Sequence, residues 1–203
     1  MSDSKSKKGI LFVISGPSGT GKGTVCEELL KTEELFLSVS ATTREKRKGE
    51  TDGVTYNYLY REEFEALIDA GEMLEYAVYN GNYYGTPKRN VEKMLDAGKN
   101  VLLEIEPQGA LNIKGQFPEA VLIFILPPSM AELRERLRGR GRENEEQIEE
   151  RLRAAHWEIE QAPKYSYLVI NDALDECVSE VAGIIRGVTE KRGLIHKLLT
   201  EQN

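Results

Sequence analysis

Nine consecutive residues, Gly16, Pro17, Ser18, Gly19, Thr20, Gly21, Lys22, Gly23 and Thr24, combine glycine, hydroxyls and one lysine in a spacing that suits the holding of phosphate. Glycines let the backbone curl until successive N–H groups point inward as a nest for an anion. A lysine after the last turn adds a point charge that reaches terminal phosphates. In the strict form of such a loop, Ser or Thr follows the lysine directly and serves magnesium. Here Gly23 takes that place and Thr24 follows, so either Thr24 or Ser18 is left to supply the hydroxyl. The loop predicts binding of a nucleoside triphosphate and does not by itself select a reaction.

A second set of residues has the chemistry of a receiver. In SVSATTREKRKGE, Arg44 and Arg47 stand three apart after two threonines, and paired guanidiniums clamp phosphate by forked hydrogen bonds. Tyr56 and Tyr84 add phenolic donors. Glu75 lies in the short apolar stretch EMLEYAV. A carboxylate there can accept from a ring N–H and an exocyclic amine, the pair of donors that guanine presents and adenine does not. Ser40 and Thr86 offer hydroxyls to a base. The tyrosines, the glutamate and the arginines also have plain structural alternatives: half-buried strand tyrosines, a solvated glutamate, arginines on a solvated face. The chain has two histidines and nothing resembling a Ser-His-Asp set. A phosphate oxygen already ionised near neutral pH needs no general base, so the expected demands on the protein are alignment and charge neutralisation.

Elements must carry these groups. Near-continuous apolar runs at Ile10 to Ile14, Val101 to Ile105, Ala120 to Leu126 and Tyr167 to Ile170 predict strands of a parallel sheet covered on both faces. Helical patterns are read over Lys22 to Lys31, Pro87 to Ala97, Ser129 to Leu137, Glu145 to Gln161 and Ala173 to Lys191. The alternation predicts an open α/β sheet with the glycine loop between its first strand and first helix. The stretch Phe36 to Tyr84 breaks the rhythm, with alternating tyrosine-rich segments and an Asn80-Gly81 hairpin signal, and predicts a small inserted α+β subdomain. RGRGRENEE, too charged and glycine-rich for core, predicts a surface loop serving as a lid. His156 and Trp157 are expected to pack, and Cys26 and Cys177 to be inert small apolar residues on helices.

The 203 residues carry a net charge of −7, with 40% hydrophobic and 30% charged. An acidic chain is a poor binder of nucleic acid, and its basic clusters point to small anionic ligands instead. No apolar run is long enough for a membrane span. Residues 1–8 read as a mobile tail without the apolar segment of a signal peptide. With two cysteines far apart, neither a disulfide framework nor a cysteine metal site is expected, and the location is read as cytoplasmic.

GPSGTGKGT, SVSATTREKRKGE, GNYYGT, EIEPQGA, ILPPS, LRGRG and VIND occur in one order. Together, over nearly the whole chain, they resemble the guanylate kinases, which phosphorylate GMP from ATP. The resemblance implies a parallel-sheet P-loop core (9–36, 88–130 and 158–203), an inserted GMP-binding subdomain (37–87) and a lid (131–157). It implies that the loop from Gly16 to Thr24, with Lys22, binds ATP phosphates, and that Asn171 lies near the adenine. Arg44, Arg47, Tyr56 and Tyr84 would hold the GMP phosphate; Ser40, Glu75 and Thr86 would read guanine. Lys22, Arg44, Arg136, Arg140 and Arg151 would be the catalytic cations. Glu106 matches an acidic position beside GMP. Glu104, with Thr24, matches a position near Mg2+, directly or through water. Both glutamates are often Asp in that family. Lid and acceptor subdomain would close over the substrates to exclude water. An AMP kinase and a non-catalytic phosphopeptide-binding relative are the alternative readings; the first meets Glu75 as an obstacle, the second the intact Lys22 and arginines.

Overall fold

The computed structural model describes residues 8–79, 81–139 and 144–200. The elements follow the chain as β1 (Leu11–Ser15), α1 (Lys22–Thr32), β2 (Leu35–Leu37), β3 (Ala41–Thr42), β4 (Asn57–Tyr58), α2 (Arg61–Asp69), β5 (Met73–Tyr79), β6 (Asn82–Pro87), α3 (Lys88–Asp96), β7 (Asn100–Glu104), α4 (Pro107–Gln116), β8 (Val121–Leu126), α5 (Met130–Gly139), α6 (Glu145–Glu160), β9 (Tyr167–Ile170) and α7 (Leu174–Thr200). A five-stranded sheet has the order β2-β7-β1-β8-β9, and its pairings β1 with β8, β2 with β7 and β8 with β9 are parallel. Parallel strands need crossovers, which the helices provide. β1 is buried along its whole length, and so are the central residues of β7 and β8. This is why those strands read as unbroken apolar runs rather than as alternating ones. The fold is the expected α/β class with a parallel central sheet and its glycine loop between β1 and α1.

The chain divides into two compact units. The first contains residues 1–11, 35–103 and 108–120. Within it lies a four-stranded sheet in the order β4-β3-β6-β5. β5 and β6 form the antiparallel hairpin that the Asn-Gly signal predicts, with Tyr79 opposite Asn82. Gly81 has φ 75° as the turn demands, and Asn80 lies outside the described residues. α2 seals one part of this unit with Phe64, fully buried against Ala41 and Met73 and stacked on Tyr83 at 5.1 Å. Truncating an aromatic so enclosed costs about 3–5 kcal/mol.

The second unit contains residues 12–34, 104–107 and 121–203. In it, Leu133 and Leu137 of α5 pack on Ile148, Leu152 and Ala155 of α6. The spacing of three and four residues makes that stripe. α6 starts on a reciprocal cap: Asn144 Oδ1 accepts from Gln147 N, and Gln147 Oε1 accepts from Asn144 N. Of the loop read between these helices, residues 140–143 lie outside the described residues.

Several elements differ from expectation. His156 and Trp157 do not pack: they lie off the Ile148–Leu152–Ala155 stripe and are exposed, Trp157 by 51%. α7 continues past Lys191 to Thr200, presenting Leu194, Ile195, Leu198 and Leu199 to solvent. α4 was not read at all, because Pro107, Gly109 and Gly115 look like loop. Pro107 is in fact the first helical residue, where a missing N–H costs nothing. Cys26 and Cys177 are free and buried, and burial pushes the Cys177 thiol up to about 11.

Candidate active site

The residues of the glycine loop fall in the second unit. β1 delivers the chain to Gly16, at φ 142°, so close to the Ile125 carbonyl that no Cβ fits. Gly21, at φ 90°, caps α1. The first turn of α1 contains no acidic side chain, so the positive end of its dipole is not offset there. Lys22 is buried, and its Nζ curls back to donate to Gly16 O at 2.5 Å and Pro17 O at 3.1 Å. Thr20 Oγ1 donates to Pro17 O at 2.9 Å, tightening the same turn.

Other elements converge on this loop. Arg151 of α6 donates to Ser18 Oγ at 2.8 Å. Arg136 of α5 donates to Glu132 and, at 2.9 Å, to the carbonyl of Asn171. Asn171 Nδ2, just beyond β9, donates to Thr20 O at 2.7 Å. A Cβ on Gly21 would lie 2.5 Å from that nitrogen, so the amide is a strut of the loop. Lys22, Ser18, Thr20, Arg136, Arg151 and Asn171 are thus brought together, while Arg140 lies outside the described residues.

Acidic groups complete this side. Glu106 lies 3.8 Å from Lys22 Nζ. Glu104, at the end of β7, keeps surface open to solvent, yet the protein around its carboxyl pushes the pKa up. Burial is the main cause, Lys22 opposes it, and Glu106 and Glu27 add to it. A Cβ on Gly23 would stand 3.5 Å from a Glu104 oxygen, in ordinary contact, which places that carboxylate beside the first turn of α1. Glu158 of α6 is pushed up to about 7, first by burial and then by Glu106. Sequence reading missed Glu158. The available signal was its spacing of seven from Arg151, which puts both on one helical stripe. Among the described residues no group of three His, Cys, Asp or Glu side chains forms a metal cage.

The receiver residues fall in the first unit, apart from Glu106. Arg44 donates to Glu50 Oε1 at 2.8 Å, with its guanidinium carbon 5.7 Å from the Tyr56 ring centre and 5.9 Å from that of Tyr58. Tyr56 meets Tyr84 edge to face at 6.0 Å. Glu50 is a residue that sequence reading missed. It accepts from Arg44, from Arg47 N and from the Tyr58 hydroxyl, and the Arg44 bond above all pulls its carboxyl down to about 2. Its signal was the acid closing the basic run TREKRKGE. The Arg47 residue itself is exposed on that loop, and Ser40 is half-buried just before β3.

Glu75 and Thr86 sit opposite each other across the β5–β6 ladder. The Thr86 hydroxyl donates to Glu75 Oε1 at 2.8 Å, with Glu75 only 8% exposed and Thr86 wholly buried. Burial pushes the Glu75 carboxyl up to about 7, against the hydrogen bonds from Thr86. A carboxylate kept out of water with one oxygen engaged has its other oxygen available for a ligand donor.

The family described as guanylate kinase matches residues 8–188. The chain is 52% identical over 186 residues to a guanylate kinase of Clostridium acetobutylicum, covering 92% of this chain and 88% of the relative. It is 52% identical to that of Halalkalibacterium halodurans, with 92% of each covered. A crystal structure of guanylate kinase from Anaplasma phagocytophilum superposes with a TM-score of 0.75 at 37% identity, over 89% of this chain and 86% of that one. Matches of this length and identity, with a fold that superposes on a solved relative over most of both chains, make the chain a member of the guanylate kinase family.

Proposed function

We propose that the protein transfers the γ-phosphoryl group of ATP to GMP, with donor and acceptor served by different units. The loop from Gly16 to Thr24 cradles the ATP phosphates through its N–H groups and the N-terminus of α1. Lys22 exchanges its bonds to Gly16 and Pro17 for phosphate oxygens. Arg136 and Arg151 neutralise charge on the transferring group, and we add Arg140 to that set on the resemblance alone. Arg44, Arg47, Tyr56 and Tyr84 hold the GMP phosphate, and Glu50 keeps Arg44 in place until it arrives. Ser40, Glu75 and Thr86 read the base. Glu106 belongs to this reading as the acid beside Lys22.

The oxygen donors Thr24, on α1, and Glu104 suit a hard cation, so these residues would hold Mg2+, directly or through water. When bound, it supplies charge neutralisation across the ATP phosphates. The rest is alignment: the GMP phosphate attacks with its own oxygen, and no residue has to take a proton. We assign residues 37–87 to the acceptor, 131–157 to the lid and the remainder from 9 to the core. No helix among the described residues is long and apolar enough to cross a membrane, and we place the enzyme in the cytoplasm.

The observation that carries the choice of acceptor is Glu75, a buried carboxyl whose one described hydrogen-bond partner side chain is Thr86. A base with two adjacent donors fits it; adenine would bring the acceptor N1 to it. Assayed with ATP and magnesium against GMP, AMP, UMP and CMP, the protein is expected to form ADP rapidly with GMP alone. Equal or faster turnover with AMP would overturn the assignment of the acceptor.

A further inference from the structure

Glu75 is confined from two sides within the first unit. Thr86 holds Oε1 at 2.8 Å. From the other side comes α4, tied to β5 by Gln116 Nε2, which donates to Leu74 O at 2.7 Å. Seven residues earlier on the same helical stripe stands Gly109. A Cβ there would lie 2.5 Å from Glu75 Oε2, 3.0 Å from Cδ and 3.5 Å from Cγ. Gly109 does not have the positive φ that demands glycine elsewhere in this chain. Inside a helix, glycine is a worse choice than alanine. The absent side chain therefore serves the space, not the backbone.

Gly85 makes a useful contrast. A Cβ on Gly85 would meet the Glu75 backbone oxygen at 2.5 Å and Tyr76 Cβ at 2.9 Å, a collision with the sheet itself. At Gly109 the collision is with the tip of a flexible side chain, which can swing aside while the fold stays intact.

We propose that Gly109 is a specificity-determining position for the acceptor base: lacking a side chain, it keeps Glu75 Oε2 in place for a second donor of the base while Thr86 occupies Oε1. This rests on the reading of Glu75 as the base-binding carboxylate. A base with two donors, guanine, uses the fixed geometry fully. Hypoxanthine, which keeps the ring N–H and lacks the exocyclic amine, uses it less.

The test compares Gly109→Ala, Glu75→Gln, Glu75→Asp and the Gly109→Ala/Glu75→Asp double variant, by melting and by steady-state kinetics with GMP and IMP. Gly109→Ala is expected to melt at or above the parent temperature. Its loss should fall on KM for GMP, raised about tenfold as for one weakened hydrogen bond to a charged group. KM for IMP should move far less, so the preference for GMP narrows. In the Glu75→Asp background, where the carboxyl is one methylene shorter, the alanine should add less than about threefold, since the two sites act through one contact. Equal losses on GMP and IMP, unchanged kinetics, or a lowered melting temperature in Gly109→Ala would overturn the proposal. A strong GMP defect in Glu75→Gln beside any of these would leave the reading of Glu75 standing. Parent-like use of GMP by Glu75→Gln would overturn both.

Discussion

Lys22 shows how the structure holds one residue ready for the role proposed for it. Its stem is buried at the start of α1 and its ammonium is parked on two carbonyls of the loop it will serve. The charge is thus held at the loop before substrate arrives, and in the proposed reaction it trades those two carbonyls for phosphate oxygens. Lys22→Ala is expected to lower kcat by on the order of 10²–10³ with every acceptor, by analogy with loss of a transition-state donor. Near-normal turnover in a coupled ADP assay would refute the role. Arg44 is held differently, by Glu50 at 2.8 Å, a bond that the phosphate of the proposed acceptor would compete for. The Arg44–Glu50 pair also stiffens its loop, because the same carboxylate accepts from Arg47 N and Tyr58. Its contribution to stability is present above about pH 4.5 and is lost as pH falls through about 2.

The β5–β6 ladder sets the scale at which Glu75 acquires its properties. Register alone puts Thr86 opposite it, and the ladder removes both from water. A carboxyl whose folded pKa rises from 4.5 to about 7 binds more protons folded than unfolded between those values. Stability from this group is therefore complete below about pH 4.5 and declines as pH rises through about 7, by on the order of 3 kcal/mol. Urea unfolding at pH 5 and pH 8 should show the parent losing more stability across that interval than Glu75→Gln; an equal loss would mean that the buried carboxyl is not the source. The same ionisation that strains the ladder makes Glu75 an acceptor with both oxygens, so KM for GMP is expected to fall as pH rises toward 8.

At the scale of the whole molecule, the chain has two compact units, and the proposal gives the two substrates to different ones. Ligand binding protects the amides it orders. In hydrogen exchange, GMP alone should slow amides within 38–87. A non-hydrolysable ATP analogue should slow those of 16–24 and of the α5 and α6 segments that bear Arg136 and Arg151. If GMP protected only the glycine loop, the division of labour would be wrong.

By itself the sequence determined the glycine loop between β1 and α1, the parallel sheet and the β5–β6 hairpin. Each is coded locally: glycines followed by lysine, unbroken apolar runs, an Asn-Gly turn. It also marked Arg44, Tyr56, Tyr84, Glu75 and Thr86 as a group of receivers. Tertiary structure alone decided that Glu50 would hold Arg44, that Asn171 would brace Thr20, and that Glu158 would lie within the field of Glu106 and Lys22. Local pattern did not mark Pro107 to Gln116 as a helix, since its proline and two glycines weaken the helical signal that the tertiary structure supplies. It likewise placed Trp157 inside, because aromatic character says how much a side chain would gain from burial, and only the packing of α5 on α6 says which stripe is covered.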